Sequence, residues 1–274
     1  MDDLFADAPK PVHGIRTGIG GWTFAPWRDN FYPKGLVQKR ELEYASRHLT
    51  AIEINGTFYG TQPPEVYARW RDETPEGFVF SLKAPRFIVG ARSLAGTGAK
   101  IDAFVHGGIG ELGSRLGPVL WQFDPRRAFD YDDIAAFLDL LPRTLDGAPL
   151  RHVLEVRHPS FQLPAYLALM REHGLPSVFT DSTEYPSFAD LSGDIVYARL
   201  MASREQHKDG YPGLQLDAWA ERAHQWARGE APGDLAYVEA RDAAPVTPRE
   251  VFVFFISAAK ARNPAAAMAL QARL

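Results

Sequence analysis

Short apolar runs of strand length recur along the chain, separated by stretches whose apolar residues return every three or four positions. That alternation predicts repeated strand–helix units. Eight strands are expected: IRTGI at 15–19, AIEIN at 51–55, FVFSLK at 78–83, PVLWQF at 118–123, HVLEVR at 152–157, SVFTD at 177–181, DIVYARL at 194–200 and VFVFFIS at 251–257. None alternates cleanly between polar and apolar, as expected of parallel strands covered on both faces.

The helical segments are legible to different degrees. DYDDIAAFLDLLPR, starting at Asp130, places Ile134, Phe137, Leu138 and Leu141 on one face and is stopped by Pro142. LQLDAWAERAHQWARG repeats Leu216, Trp219, Ala220, Ala223 and Trp226 at helical spacing, and PPEVYARWRDE opens on a proline suited to a first turn. KIDAFVHGGIGELGSRL has the right period, but Gly107 and Gly108 weaken it. The sixth helix, over YPSFADLSG at 185–193, is expected to be irregular and at most one or two turns. Eight such units in 274 residues, without a break in composition, predict an α/β protein with a single (β/α)8 TIM-like barrel over 15–274, after an N-terminal extension at 1–14. A doubly wound open sheet is the alternative.

Composition narrows the chemistry. With 46% hydrophobic residues a full-sized core is available, and with no cysteine there are no disulfides, thiolate ligands or cysteine nucleophiles. The first residues are acidic and hold no signal-like apolar run, and no stretch approaches the roughly 18 apolar residues of a membrane span. A cytoplasmic protein with no membrane association is therefore expected. The net charge of −4 argues against a non-specific nucleic-acid coat.

Charged residues then stand out because they interrupt apolar strands. Glu53 and Asn55, Lys83, Glu155 and Arg157, Asp181 and Arg199 all fall in or just after a strand. A bare charge between sheet and helices is costly unless paired, whereas the mouth of a barrel offers water or ligand. The pairs 53/55 and 155/157 each share a side of their strand, near its C-terminal end, where barrel active sites are built. They predict a ring of polar groups that either carries function or plugs the barrel mouth as an ion-pair network. Around it, the loop after the first strand holds Trp22, Phe24, Trp27, Phe31 and Tyr32, and the next adds Phe58 and Tyr59. These aromatics either form a satellite core or wall a ring-shaped ligand. The third loop is long and basic, with Arg86, Arg92 and Lys100.

Other signals dissolve on inspection. GIGELG at 108–113 matches a dinucleotide fingerprint by letter but precedes a strand instead of following one. The eight histidines show no zinc spacing, and no G-x-S-x-G elbow occurs. His158, after EVR, either takes part in chemistry or caps its loop. A divalent ion between Glu53, Glu155, Asp181 and His158 would be within reach of adjacent strand ends, but the interleaved lysine and arginines already neutralise those carboxylates. Neither a metal nor another cofactor is expected.

GIGGW with FYP downstream, then EINGTFY, FSLKAPR, LGPVLWQF, EVRHPSF and YARL occur in this order over almost the whole chain. The ordered set resembles the YecE-like family (domain of unknown function 72). The resemblance implies a TIM-like barrel without implying an established activity. It carries over Trp22, Glu53, Asn55, Thr57, Tyr59, Lys83, Gln122, Glu155, Arg157, His158, Asp181 and Arg199 as strand-end residues. The chain departs from the family pattern at Met201 and Ala202 and at Ser257 and Ala258, with Asn263 arriving late.

The resulting expectation is an enzyme acting on a small anionic, ring-bearing substrate, its reaction left open among hydrolase, lyase and isomerase. Glu53, Glu155 and Asp181 would supply acid/base chemistry, while Trp22, Asn55, Tyr59, Lys83, Arg86, Gln122, Arg157, His158 and Arg199 would bind the substrate. The alternatives are a nucleic-acid-processing barrel resembling endonuclease IV-like folds, disfavoured by the acidic charge, and a ligand-binding protein without chemistry. The oligomeric state is not legible.

Overall fold

A computed structural model describes residues 8–241 and 243–274. The first half of the extension expected at 1–14, residues 1–7, lies outside the described residues. Eight parallel strands form the barrel: β1 (Ile15–Gly20), β2 (Ala51–Ile54), β3 (Val79–Lys83), β4 (Leu116–Gln122), β5 (His152–Glu155), β6 (Phe179–Thr180), β7 (Ile195–Leu200) and β8 (Glu250–Phe255). Their spatial order is 5-4-3-2-1-8-7-6. A single parallel bridge, Leu154 to Ser177, joins the two ends of that row and completes the circle. The fold is thus the TIM-like barrel and not the doubly wound sheet.

Helices α1 (Glu41–Ala45), α2 (Pro64–Asp72), α3 (Arg86–Val89), α4 (Gly98–Val105), α5 (Tyr131–Asp139), α6 (Pro164–Glu172), α7 (Gly213–Ala227) and α8 (Asn263–Gln271) lie outside the strands. The Asp130 carboxylate caps α5 by accepting the Asp133 N–H, as its position before the apolar stripe predicts. The helix expected through 100–116 breaks, because Gly108 takes a left-handed φ of 119° and the chain resumes as a 3-10 turn at Ile109–Arg115. Between β6 and β7 the described chain contains no helix at all. Phe188, Ala189 and Leu191 still bury there, so the segment packs without a regular turn.

Period-2 alternation divides the strands between two cores. Ile52, Ile54, Phe80, Leu82 and Trp121 point outward to the helices. Ala51, Val79, Leu120, Val153, Val178, Ile195, Tyr197, Phe252 and Phe254 fill the interior. Gly18 makes room for that filling. A Cβ there would lie 2.2 Å from the Ala51 carbonyl oxygen and 2.9 Å from the Phe254 ring. Below the apolar layers, the N-terminal end is closed by Arg16 and Arg151 converging on Glu250. Above them lies a second charged layer of different construction.

Candidate functional site

The upper layer is made by continuing the inward-facing rows of the strands by one step. On β2 that step is Glu53, on β3 Ser81 and Lys83, on β4 Gln122, on β5 Glu155, and on β7 Tyr197 and Arg199. Arg199 is its centre. Its Nε and Nη2 donate to the two oxygens of Glu53 at 3.0 and 2.9 Å, and its Nη1 donates to Glu155 Oε2. Glu53 also accepts the Tyr197 hydroxyl at 2.8 Å, and Ser81 Oγ lies 2.8 Å from that hydroxyl. Glu155 accepts from Gln122 Nε2 at 2.8 Å and from Arg157 Nε at 2.6 Å.

Glu53, Glu155 and Arg199 are at most 2% exposed. Burial opposes ionisation of Glu155, but Arg199, Arg157 and the Gln122 hydrogen bond outweigh it and hold the carboxyl at about 2. Burial likewise opposes the Arg199 charge, which the two glutamates nonetheless drive up. Tyr197 is pushed well above its ordinary value, first by burial and then by Glu53, so its hydroxyl remains a donor.

Over this layer opens a cavity of about 590 Å³, a size suited to a small ligand. Lys83, Arg157, Arg199 and Lys260 line it, together with the amides Asn55, Gln122 and Asn263 and the aromatics Trp22, Tyr59, Trp70 and Phe255. Among the described residues no aspartate or glutamate lines it. The two buried glutamates are outnumbered: Arg199, Arg157 and Lys83 give +3 against −2 from Glu53 and Glu155, and Lys260 at the rim adds one more. The low-dielectric barrel wall beneath the cavity focuses that positive field.

Of these cations, Lys83 and Lys260 have no carboxylate partner among the described residues, and Lys83 is the more deeply buried. Its ammonium sits 4.0 Å from the centroid of the Phe58 ring, and no carboxylate pairs with it among the described residues. Burial, then the neighbouring Arg199, lowers it from its ordinary value to about 8 against the pull of Glu53 and Glu155. Arg157 lies over the Tyr185 ring at 4.2 Å, which orients its guanidinium at the cavity edge.

The loop aromatics divide between the core and the cavity. Trp27, Phe31 and Tyr32 are buried, pack with Tyr44 and join the main core between strands and helices. Trp27 Nε1 donates to the Lys260 carbonyl at 2.8 Å, and Asn30 donates to the Ala261 carbonyl at 2.9 Å, tying the first loop to the turn after β8. The Tyr32 hydroxyl donates to the Trp22 carbonyl and holds that loop inward. Trp22 stands edge-on to Trp70, with ring centroids 5.2 Å apart, and presents its ring to the cavity, while Tyr59 stays 73% exposed at the rim.

Of the residues expected to build the site, Trp22, Asn55, Tyr59, Lys83, Gln122, Arg157 and Arg199 line the cavity. Glu53 and Glu155 lie beneath it and reach it through Arg199. Three others stand apart. Asp181 accepts the Met201 N–H and, at 2.9 Å, the Tyr211 hydroxyl, fixing the end of β7 instead of facing the cavity. His158 caps the turn Pro159–Phe161, its Nδ1 accepting the Ser160 N–H at 3.2 Å. Arg86 is exposed, 5.7 Å from the Tyr59 ring centroid. Among the described residues no group of three His, Asp or Glu side chains is placed to hold a metal ion, and no helix is long and apolar enough to cross a membrane.

Trp70, Phe255, Ser257, Lys260 and Asn263 also line the cavity although the sequence did not mark them as site residues, and the same holds for Ser81 and Tyr197 in the layer beneath. Ser81 and Tyr197 were within reach, since each shares its strand side with a chosen residue two positions on. Ser257 and Ala258, consecutive non-glycine residues with φ of 57° and 46°, turn the chain after β8 at the cavity rim. No local pattern announces that turn.

Fold and site together define an α/β barrel with a cation-lined cavity at the C-terminal ends of its strands. The chain belongs to the family described as protein of unknown function DUF72, whose model matches residues 16–274. It is 32% identical to the UPF0759 protein YecE of Escherichia coli K12 over 151 residues, 54% of this chain and 50% of that protein. It is 31% identical to the UPF0759 protein YunF of Bacillus subtilis over 169 residues, 58% of each. The chain thus spans about half the length of the curated relatives it matches. The crystal structure of a DUF72 family protein from Thermotoga maritima superposes with a TM-score of 0.69 at 19% identity, covering 94% of this chain and 96% of that one. That likeness is one of fold. The family read from the ordered motifs is confirmed.

Proposed function

We propose that the protein is an enzyme whose strand-end cavity takes a small anion bearing a ring. The observation that carries this reading is the lining itself: four cationic side chains, no acidic one among the described residues, and a Trp22–Trp70 wall beside them. Lys83 and Arg157 meet the anion, Trp22 packs against the ring, and Asn55, Gln122 and Asn263 orient polar substituents. Glu53 and Glu155 support the site as positioning residues. A carboxylate held near 2 by two arginines is a poor base at neutral pH, but it fixes Arg199 and Arg157 rigidly. Asp181 positions the β7 end in the same sense.

Thermal melting with and without inorganic phosphate tests the reading. Phosphate bound to the folded state raises the melting temperature, and the rise shrinks in Arg157→Leu. Phosphate also stabilises proteins by exclusion from their surface, so an equal rise in both proteins contradicts the proposal.

A further inference from the structure

We propose that Lys83 is a nucleophilic lysine that condenses with the carbonyl group of an anionic aldehyde or ketone bound in the strand-end cavity. The inference rests on the anion-binding reading above and assigns it a reaction. In the step, the Lys83 nitrogen bonds to the carbonyl carbon and the carbonyl oxygen departs as water. The ammonium and the carbonyl compound together give one protonated iminium ion and one water, so atoms and charge balance without an oxidant or reductant.

Placement is the first support. Lys83 ends β3, and its backbone is clamped: its carbonyl accepts the Thr57 hydroxyl at 2.7 Å, and the next N–H, of Ala84, donates to Leu120 O at 2.9 Å. The side chain points with Ser81 into the barrel mouth, is only 9% exposed, and lines the cavity. A lysine kept for structure in such a place would be paired. Here both nearby carboxylates are committed to arginines, Glu53 to Arg199 and Glu155 to Arg199 and Arg157, and the ammonium is left against the Phe58 ring.

The charged groups facing Lys83 are Glu53 on β2, Glu155 on β5, Arg157 just beyond it and Arg199 on β7, while β4 presents the uncharged Gln122. Burial and the two arginines prevail over the glutamates, so the amine titrates at about 8. About one molecule in ten then carries the neutral nucleophile at pH 7, against fewer than one in a thousand for an ordinary lysine. Proximity to a second cation is an established way of activating a lysine. Lys260, the other lysine of the cavity, lies at the rim over the Phe24 and Trp27 rings, placed to hold the anionic end.

The chain has seven lysines, of which Lys10, Lys34, Lys39, Lys100 and Lys208 are exposed, so adducts are easily mapped. The test incubates the protein with one equivalent of pyridoxal 5′-phosphate, a ring-bearing anionic aldehyde, reduces with borohydride, and locates the adduct by peptide mass mapping. One adduct per chain on Lys83 is expected, formed with a midpoint near pH 8 and suppressed by inorganic phosphate. Lys83→Arg should lose the adduct, because a guanidinium does not condense with the aldehyde. Modification spread over the exposed lysines with Lys83 untouched overturns the proposal, and mapping of the wild-type protein decides this whether or not the variant folds. If phosphate stabilises the protein but Lys83 stays unmodified, the nucleophile fails and the anion site stands. If Lys83 is modified and phosphate neither competes nor stabilises, the anion site fails instead.

Discussion

Arg199 and Glu53 form a two-pronged ion pair across the barrel mouth, Nε and Nη2 meeting the two carboxylate oxygens at 3.0 and 2.9 Å with both side chains out of water. The same guanidinium also holds Glu155, so one residue compensates two buried negative charges. Removing it as Arg199→Met leaves Glu53 without an ionic partner and Glu155 with Arg157 alone. The expected loss is about 3–5 kcal/mol of unfolding free energy, read from denaturant melts. A loss below about 1 kcal/mol would mean that the layer is far wetter than its burial indicates.

Lys83 should behave in the opposite way. Its folded-state value of about 8 lies below that of an unfolded lysine, so the unfolded chain binds more protons between about pH 8 and 10.5. Stability therefore rises with pH across that window and carries its full penalty below it. Lys83→Met, of similar volume, removes the penalty and should stabilise the protein by about 1–3 kcal/mol at neutral pH while abolishing the high-pH gain. Stability surrendered at one residue is the mark of a functional site. A destabilised Lys83→Met would instead make Lys83 part of a structural plug.

These two substitutions separate what the sequence left joined. The ring of strand-end charges follows from period-2 alternation, because Glu53, Lys83, Glu155 and Arg199 interrupt otherwise apolar strands. Its division into a sealed layer and an open cavity does not, since that depends on which carboxylate each arginine reaches across the barrel. For the same reason Asp181, one residue past a strand end, looked equivalent to Glu155 although it turns to Met201 and Tyr211. Trp70 and Lys260 enter the cavity from a helix and a late turn, and only tertiary packing brings them there. The helix missing between β6 and β7 and the break at Gly108 show tertiary burial and one backbone conformation overriding weak helical periodicity.

His152 predicts a pH dependence away from the site. Its Nδ1 accepts from Trp121 Nε1 at 3.0 Å, and its Nε2 lies 2.7 Å from the Pro142 carbonyl, so the neutral tautomer with the proton on Nε2 fits. Burial holds its value down at about 4. An unfolded histidine takes up its proton near 6.5, so the unfolded state gains protons first as the pH falls. Stability should be full above about pH 6.5 and decline by about 3 kcal/mol as the pH approaches 4, with the decline reduced in His152→Gln. Denaturant melts across that range check it, and identical slopes for both proteins would contradict it.

Gly18 tests the interior packing. In Gly18→Ala the new methyl group meets the Ala51 carbonyl oxygen at 2.2 Å, a backbone atom that cannot rotate aside. A loss of about 3 kcal/mol or failure to fold is expected. Near-neutral stability by thermal melting would show that β1 and β2 can separate at no cost.

The central claim, an anion site built on Lys83 and Arg157, is tested most directly by titration calorimetry with phenyl phosphate against the wild type, Lys83→Met and Arg157→Leu. Removing either cation should weaken binding about tenfold, the equivalent of about 1.4 kcal/mol. The account predicts one site per chain in the wild type, at least a tenfold loss in each variant, and no binding of uncharged benzyl alcohol. Equal affinities in all three proteins, or heat from benzyl alcohol matching that from phenyl phosphate, would contradict it.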